Sequence, residues 1–227
     1  MVDDGRGQSR REFLGRLGEV GAASALAGGA AAPALAQSPA QVPAGAWDLT
    51  WVERVRRAAH RAVFDAPTRD LVLMLAARYL DNVRTVYGAG VGAGDVCAVL
   101  NLRTRAISLA LGDAAWQKYP VAEDYKVNDP LTSAPARRNV DWRPAAGASG
   151  PEADATLERV QQRGAVVLVC DFALGHLATR LAKQAGSSAD AVHAELRAGL
   201  IPGAVLVPSG IWGAAQAQNA GCAFIPA

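Results

Sequence analysis

The chain has 227 residues, with 23 Lys and Arg against 21 Asp and Glu, so nothing in its charge argues for nucleic acid or for an anionic membrane surface as a partner. Apolar residues make up 51% of it, much of that Ala, while aromatics are only 6%, which fits one globular domain with Ala-padded helices and a modest core.

The first 36 residues differ in kind from the rest. Ser9-Arg10-Arg11-Glu12-Phe13-Leu14 is a twin-arginine export motif, with Gly15 where Lys is common, and a weakly apolar Ala and Gly stretch leads to the small-residue cleavage site Ala34-Leu35-Ala36. Glu19, Pro33 and the Gly content make the stretch a poor membrane anchor. A cleaved signal over 1–36 is expected, with the twin-arginine translocase as a transient partner and the periplasm as destination. Cys97, Cys170 and Cys222 all remain in the mature chain, and an odd number in an oxidising compartment leaves at least one free, modified or paired between chains. Residues 37–46, rich in Pro, Ala and Gln, read as a disordered spacer before a domain over 47–227.

Trp47-Asp48-Leu49-Thr50-Trp51 opens a helix through about Ala58, and Arg61 to Asp65 is a short strand candidate. Thr68 or Asp70 is the expected cap of a long helix that carries Leu71, Leu75, Tyr79, Val83 and Val86 on one face and ends at Gly88. The glycines at 88, 90, 92 and 94 follow a helix and precede the strand Val96 to Leu100, the wrong order for a dinucleotide-binding loop. Cys97 lies early in that strand and reads as core. Asn101 and Arg103 lie at its carboxyl end, where they are candidates to line a site.

A helix over roughly 104–111 is followed by a stretch without periodicity, about 112–150, too long for an ordinary connection. Its Trp116, Tyr119, Tyr125 and Trp142 argue against disorder. The segment either folds over the strand ends or onto a neighbouring subunit, with Trp116 as a substrate contact, or packs as an aromatic arm on its own domain.

Glu152 to Gln162 reads as helix, leading into Ala165 to Cys170, an apolar run of a strand buried on both faces. A helix follows at once, capped by Asp171 and carrying Leu174, Leu177, Ala178 and Leu181 at helical spacing. Cys170 therefore stands where a strand ends and a helix begins, a junction that gathers ligands in open α/β sheets and favours thiolate over thiol. Ser188 is the expected cap of a helix over Ala189 to Ala198, Val205 to Val207 is a strand, and Ile211 to Asn219 is a helix before the last strand, Ala223 to Ile225. Ser209 and Gly210 repeat the strand-to-helix geometry of Cys170, with amides that could hold an anion. Five strands alternating with helices predict a three-layer α/β/α domain on a single parallel sheet. In such a sheet Cys170 closes its strand and Cys222 precedes its own, so no disulfide joins them within one subunit.

Other chemistries find less support. Ser209, His176 and Asp171 could form a hydrolase triad, but no Gly-x-Ser-x-Gly elbow is present. His60, His176 and His193 are far apart and no Cys-x-x-Cys occurs, so neither a metal nor a cofactor is expected, Cys170 with His176 being at most a partial metal or haem site.

Trp47 to Trp51, His60 to Asp65, Asp113 to Tyr119, the strand ending in Cys170, Val207 to Gly210 and Gln218 to Phe224, in this order and spacing, resemble the exported members of the DsrE/DsrF-like family of sulfur-relay proteins. The resemblance implies a five-stranded parallel sheet, homo-oligomers and a Cys, matched by Cys170, that carries persulfide sulfur between a sulfane-sulfur donor and an acceptor. The chain lacks an evident partner cysteine. Two readings follow: a sulfur carrier or sulfurtransferase acting through Cys170, or a non-catalytic periplasmic binding or assembly protein that uses the same crevice.

Overall fold

The computed structural model describes residues 47–88 and 90–227, so the export motif, the cleavage site and the spacer over 37–46 lie outside the described residues. Among the described residues no helix is long and apolar enough to cross a membrane.

The elements in chain order are α1 (Thr50–Arg57), β1 (His60–Ala66), α2 (Val72–Tyr87), β2 (Val96–Leu102), a 3-10 turn (Ala106–Ala110), α3 (Asp113–Lys118), α4 (Val121–Tyr125), α5 (Pro151–Asp154) and α6 (Leu157–Gln162). They continue with β3 (Ala165–Cys170), α7 (Asp171–Ala185), α8 (Ala189–Ala198), β4 (Ala204–Val207), α9 (Gly210–Asn219) and β5 (Ala223–Pro226). The five strands form one parallel sheet in the order β4-β3-β2-β1-β5, the predicted α/β/α architecture. Parallel strands need crossovers, and helices fill both faces.

Alternation along the strands divides the core in two. Ala62, Phe64, Ala98, Leu100, Val167 and Val169 face the larger layer, built on α2, α7, α8 and the segment between β2 and β3. Val63, Cys97, Val99, Val166 and Leu168 face the smaller one, under α1 and α9. Because the chain returns from β4 at one edge to β5 at the other, α9 has to cross the sheet, and it touches every strand.

Four local expectations are corrected. The start of α2 has Leu71 at its cap position and no side-chain cap from Thr68 or Asp70. Its buried face is Val72, Leu73, Ala76, Ala77, Leu80 and Val83, whereas Leu71 is 51% exposed and Val86 72%. Ala76 and Ala77 let the helix sit close to β1 and β2, so small residues carry the stripe that larger ones suggested. The helix expected over 104–111 is a 3-10 turn, and the one over 152–162 is two helices, α5 and α6.

Residues 112–150 pack on their own domain. Trp116, Tyr119, Val121, Tyr125, Val127 and Ala136 are buried in the larger core. The buried Asn139 pins the segment by donating to the carbonyls of Leu109 (2.6 Å) and Leu111 (2.8 Å), and Arg69 pairs with Asp141. Helices of six and five residues are too short to display a period, which is why the stretch looked irregular.

Candidate functional site

Cys170 is the last residue of β3 and the cap of α7, its Sγ accepting a hydrogen bond from the Ala173 amide at 3.3 Å. This corrects the expectation that Asp171 caps the helix. With the Ala173 amide already taken by sulfur, the Asp171 carboxylate turns toward α8, where Oδ1 lies 2.8 Å from His193 Nε2 and 3.5 Å from Arg197 Nε. His193, which reads in sequence as a solvated helix residue, is thus held by an acid one helix away. The negative charge that would oppose a thiolate at Cys170 is met by groups of α8. The cysteine itself is only 4% exposed.

Beside it, the carboxyl ends of β1 and β2 carry a polar cluster. Arg103 grips Asp65 through two hydrogen bonds of 2.8 Å, Nε to Oδ1 and Nη2 to Oδ2, the fork geometry that makes Arg and carboxylate a strong pair. Asn101, fully buried, donates through Nδ2 to Asp65 Oδ1 at 2.9 Å and to the Gly210 carbonyl at 2.8 Å. Donation of its hydrogen bonds to Asp65 is the largest influence holding the Arg103 pKa above its ordinary value, with partial burial opposing it and the charges of Asp65 and Cys170 adding to the rise. Glycines let α9 come this close. A Cβ at Gly210 would lie 2.8 Å from Arg103 Cβ, and one at Gly213 would lie 2.9 Å from Asn101 Oδ1, which has no hydrogen-bond partner among the described residues.

Because β3 and β4 are neighbours, the loops after Cys170 and Val207 share one crevice, tied by a hydrogen bond from the Phe172 amide to the Pro208 carbonyl at 3.3 Å. Ser209 caps α9, its Oγ accepting from the Trp212 amide at 3.2 Å. Of the residues singled out in sequence, Asn101, Arg103 and Gly210 form one bonded cluster, and Cys170, Asp171 and Ser209 stand at the adjoining strand ends. Trp116 is the exception. It is fully buried beneath Arg69, whose guanidinium lies 5.8 Å from its ring centre, so a substrate contact there is corrected to a core role. The Ser209, His176 and Asp171 triad is not assembled either: Asp171 pairs with His193, and His176 stands edge to face with Phe172.

Asp65 and His193 were the residues sequence reasoning missed. Asp65 carried a usable signal, an acid closing a strand. His193 carried none, because only the packing of α8 on α7 brings it to Asp171. No group of three or more His, Cys, Asp or Glu among the described residues is arranged to hold a metal ion.

No known family, curated protein or solved structure matches the chain. The chemistry open to the site is therefore set by its own groups: a thiol at a helix start, a guanidinium beside it, and an acid-held imidazole on the next helix.

The other two thiols behave differently. Both are buried under the α1 and α9 face, and all three cysteines are free in the structure. Burial pushes the Cys97 thiol from 9.0 up to about 11, against Arg54, and the Cys222 thiol up to about 12, with Cys97 adding to the rise. The folded state thus holds these protons more tightly than the unfolded chain does. Stability from this source is full below about pH 9, falls as pH rises further, and is gone once the folded values are passed. Urea unfolding at about pH 8 and about pH 10 should show a loss of stability at the higher pH that is reduced in Cys97→Ala. An equal loss in that variant would assign the effect to other groups.

Proposed function

We propose that this protein is an exported sulfur carrier of the DsrE/DsrF-like kind, with Cys170 as the group that holds sulfur. The observation that carries the reading is the hydrogen bond from the Ala173 amide to Cys170 Sγ at the carboxyl end of a parallel strand, beside Arg103. The amide holds Sγ at the start of α7, and the thiolate form of a cysteine is the nucleophile in sulfur exchange.

The reaction balances without an added oxidant. The Cys170 thiolate attacks the sulfane sulfur of a donor, a new S–S bond forms at Sγ, the donor's own S–S bond breaks, and its thiolate, or sulfite in the case of thiosulfate, leaves. An acceptor thiolate then attacks the outer sulfur and regenerates Cys170. With no second cysteine needed in the chain, the acceptor is a separate molecule. Export to the periplasm by the twin-arginine route and homo-oligomer formation belong to the same proposal, the first resting on Ser9 to Leu14 and the second on the family resemblance.

The test is a mass measurement. Incubation with thiosulfate or polysulfide should add one sulfur, about 32 Da, to the peptide containing Cys170 and to no other. Cys170→Ser should abolish the gain while the protein stays folded, since the change is small and Ser can accept the same amide hydrogen bond. No loading from any donor would reject the carrier. A second reading, a non-catalytic binding or assembly protein, is favoured by the burial of Cys170 to 4% exposure. It expects Cys170→Ser to retain full function in cells.

A further inference from the structure

The crevice has a second wall that the cysteine chemistry does not use. Phe172 and His176, one turn apart on α7, stand edge to face with ring centres 4.6 Å apart and form a ridge. Phe172 is 68% exposed, an unusual place for an aromatic ring with no polar atom. On one side of the ridge is a groove of about 460 Å³ with an acidic lining, including Asp171 and Asp190. On the other side is a larger groove of about 620 Å³, and there the charge is reversed.

Two guanidinium groups line the larger groove, Arg105 and Arg180, against one carboxylate, Asp124. Arg180 Nη2 meets Asp124 Oδ2 at 2.8 Å. Arg105 lies over the Tyr125 ring at 4.8 Å and donates only to the backbone carbonyl of Asp124 at 3.0 Å, with no carboxylate partner among the described residues. Stacking and one hydrogen bond hold Arg105, and Asp124 together with the Tyr125 hydroxyl holds Arg180, while N–H donors of both stay open. The loop that delivers Arg105 turns through Thr104 at a φ of 50°, a left-handed conformation that is strained for a β-branched residue. Ala173 keeps the groove open by its small size.

We propose that this groove binds a small organic anion, its carboxylate or sulfonate held by Arg105 and Arg180 and its flat apolar body laid against Phe172. The excess positive charge selects the anion, and paired donors in fork geometry suit a planar carboxylate or a sulfonate. The exposed ring selects an organic ligand over an inorganic one, since sulfate or phosphate would leave Phe172 in water. The proposal goes beyond the Cys170 reading and does not depend on it, because binding here needs no sulfur donor.

Phenylacetate serves as the probe, with uncharged phenylacetamide and inorganic sulfate as controls, followed by backbone amide shifts and calorimetry on the folded protein. Phenylacetate should saturate and shift the amides of Arg105, Phe172, Ala173 and His176. Phenylacetamide and sulfate should each bind at least about tenfold more weakly, the size of one charge-assisted hydrogen bond or one aromatic contact. Arg105→Gln and Phe172→Ser, both at exposed positions, should each weaken phenylacetate by about tenfold with no change in unfolding temperature, and Arg180→Lys should weaken it less than Arg180→Gln. Equal binding of phenylacetamide, shifts confined to other residues, or unchanged affinity in Arg105→Gln and Phe172→Ser would each overturn the proposal.

Discussion

Trp116→Ala should lower the unfolding free energy by about 3 to 5 kcal/mol, the usual cost of emptying a fully buried large aromatic site. The ring has no exposed surface and lies in the same core as Phe64, Leu100 and Leu174. Trp116→Phe makes the sharper comparison. The indole Nε1 has no hydrogen-bond partner among the described residues, so the smaller ring loses volume but no polar contact, and the cost should stay under about 2 kcal/mol. Urea unfolding measures both. A mobile lid over the strand ends would give the opposite pattern, with stability nearly unchanged in Trp116→Ala and ligand binding lost, and that outcome would overturn the packing described for residues 112–150.

Gly164→Ala should cost about 3 to 5 kcal/mol, a large effect for one methyl group, because two penalties coincide. The residue has φ of +116°, a region in which L side chains are strained, and an added Cβ would lie 2.5 Å from the Val96 carbonyl oxygen and 2.9 Å from that of Ala93. Both obstacles are backbone and cannot rotate away. Gly164 is the residue before β3, whose pairing of Ala165 with Ala98 in β2 sets the register that ends at Cys170. The variant should therefore disturb the site as well as the fold, with Cys170 alkylated faster than in the parent protein. A thermal unfolding curve superimposable on that of the parent would show that the turn is not as tight as described. Gly203→Ala is the control: its Cβ would meet the end of the flexible Gln161 side chain at 2.9 Å, so only the φ of +76° is penalised and the loss should be about 1 kcal/mol.

The strands were legible because a strand buried on both faces must be apolar throughout, and Val96 to Leu100 and Ala165 to Cys170 are such runs, bounded by Gly and Asp. The caps at Ser188 and the turn at Pro208 to Gly210 were legible for a different reason: they are local, decided by one side chain and the next three amides. The place of Cys170 at a strand end followed from the same local pattern, and so did the parallel sheet, since helices between successive strands permit little else.

What the tertiary structure alone decided is which distant groups meet. Strand order brings the ends of β3 and β4 together and sends α9 across the sheet, so that Asn101 reaches the Gly210 carbonyl 109 positions away. Packing of α8 on α7 brings His193 to Asp171, and the short helices α3 and α4 turn what reads as an irregular loop into core around Trp116 and set Asp124 against Arg180. Local sequence determines caps, turns and the period of burial because those depend on neighbours within about one helical turn. Side chains on separate elements meet only after the sheet has chosen its order, and no pattern within one segment encodes that choice.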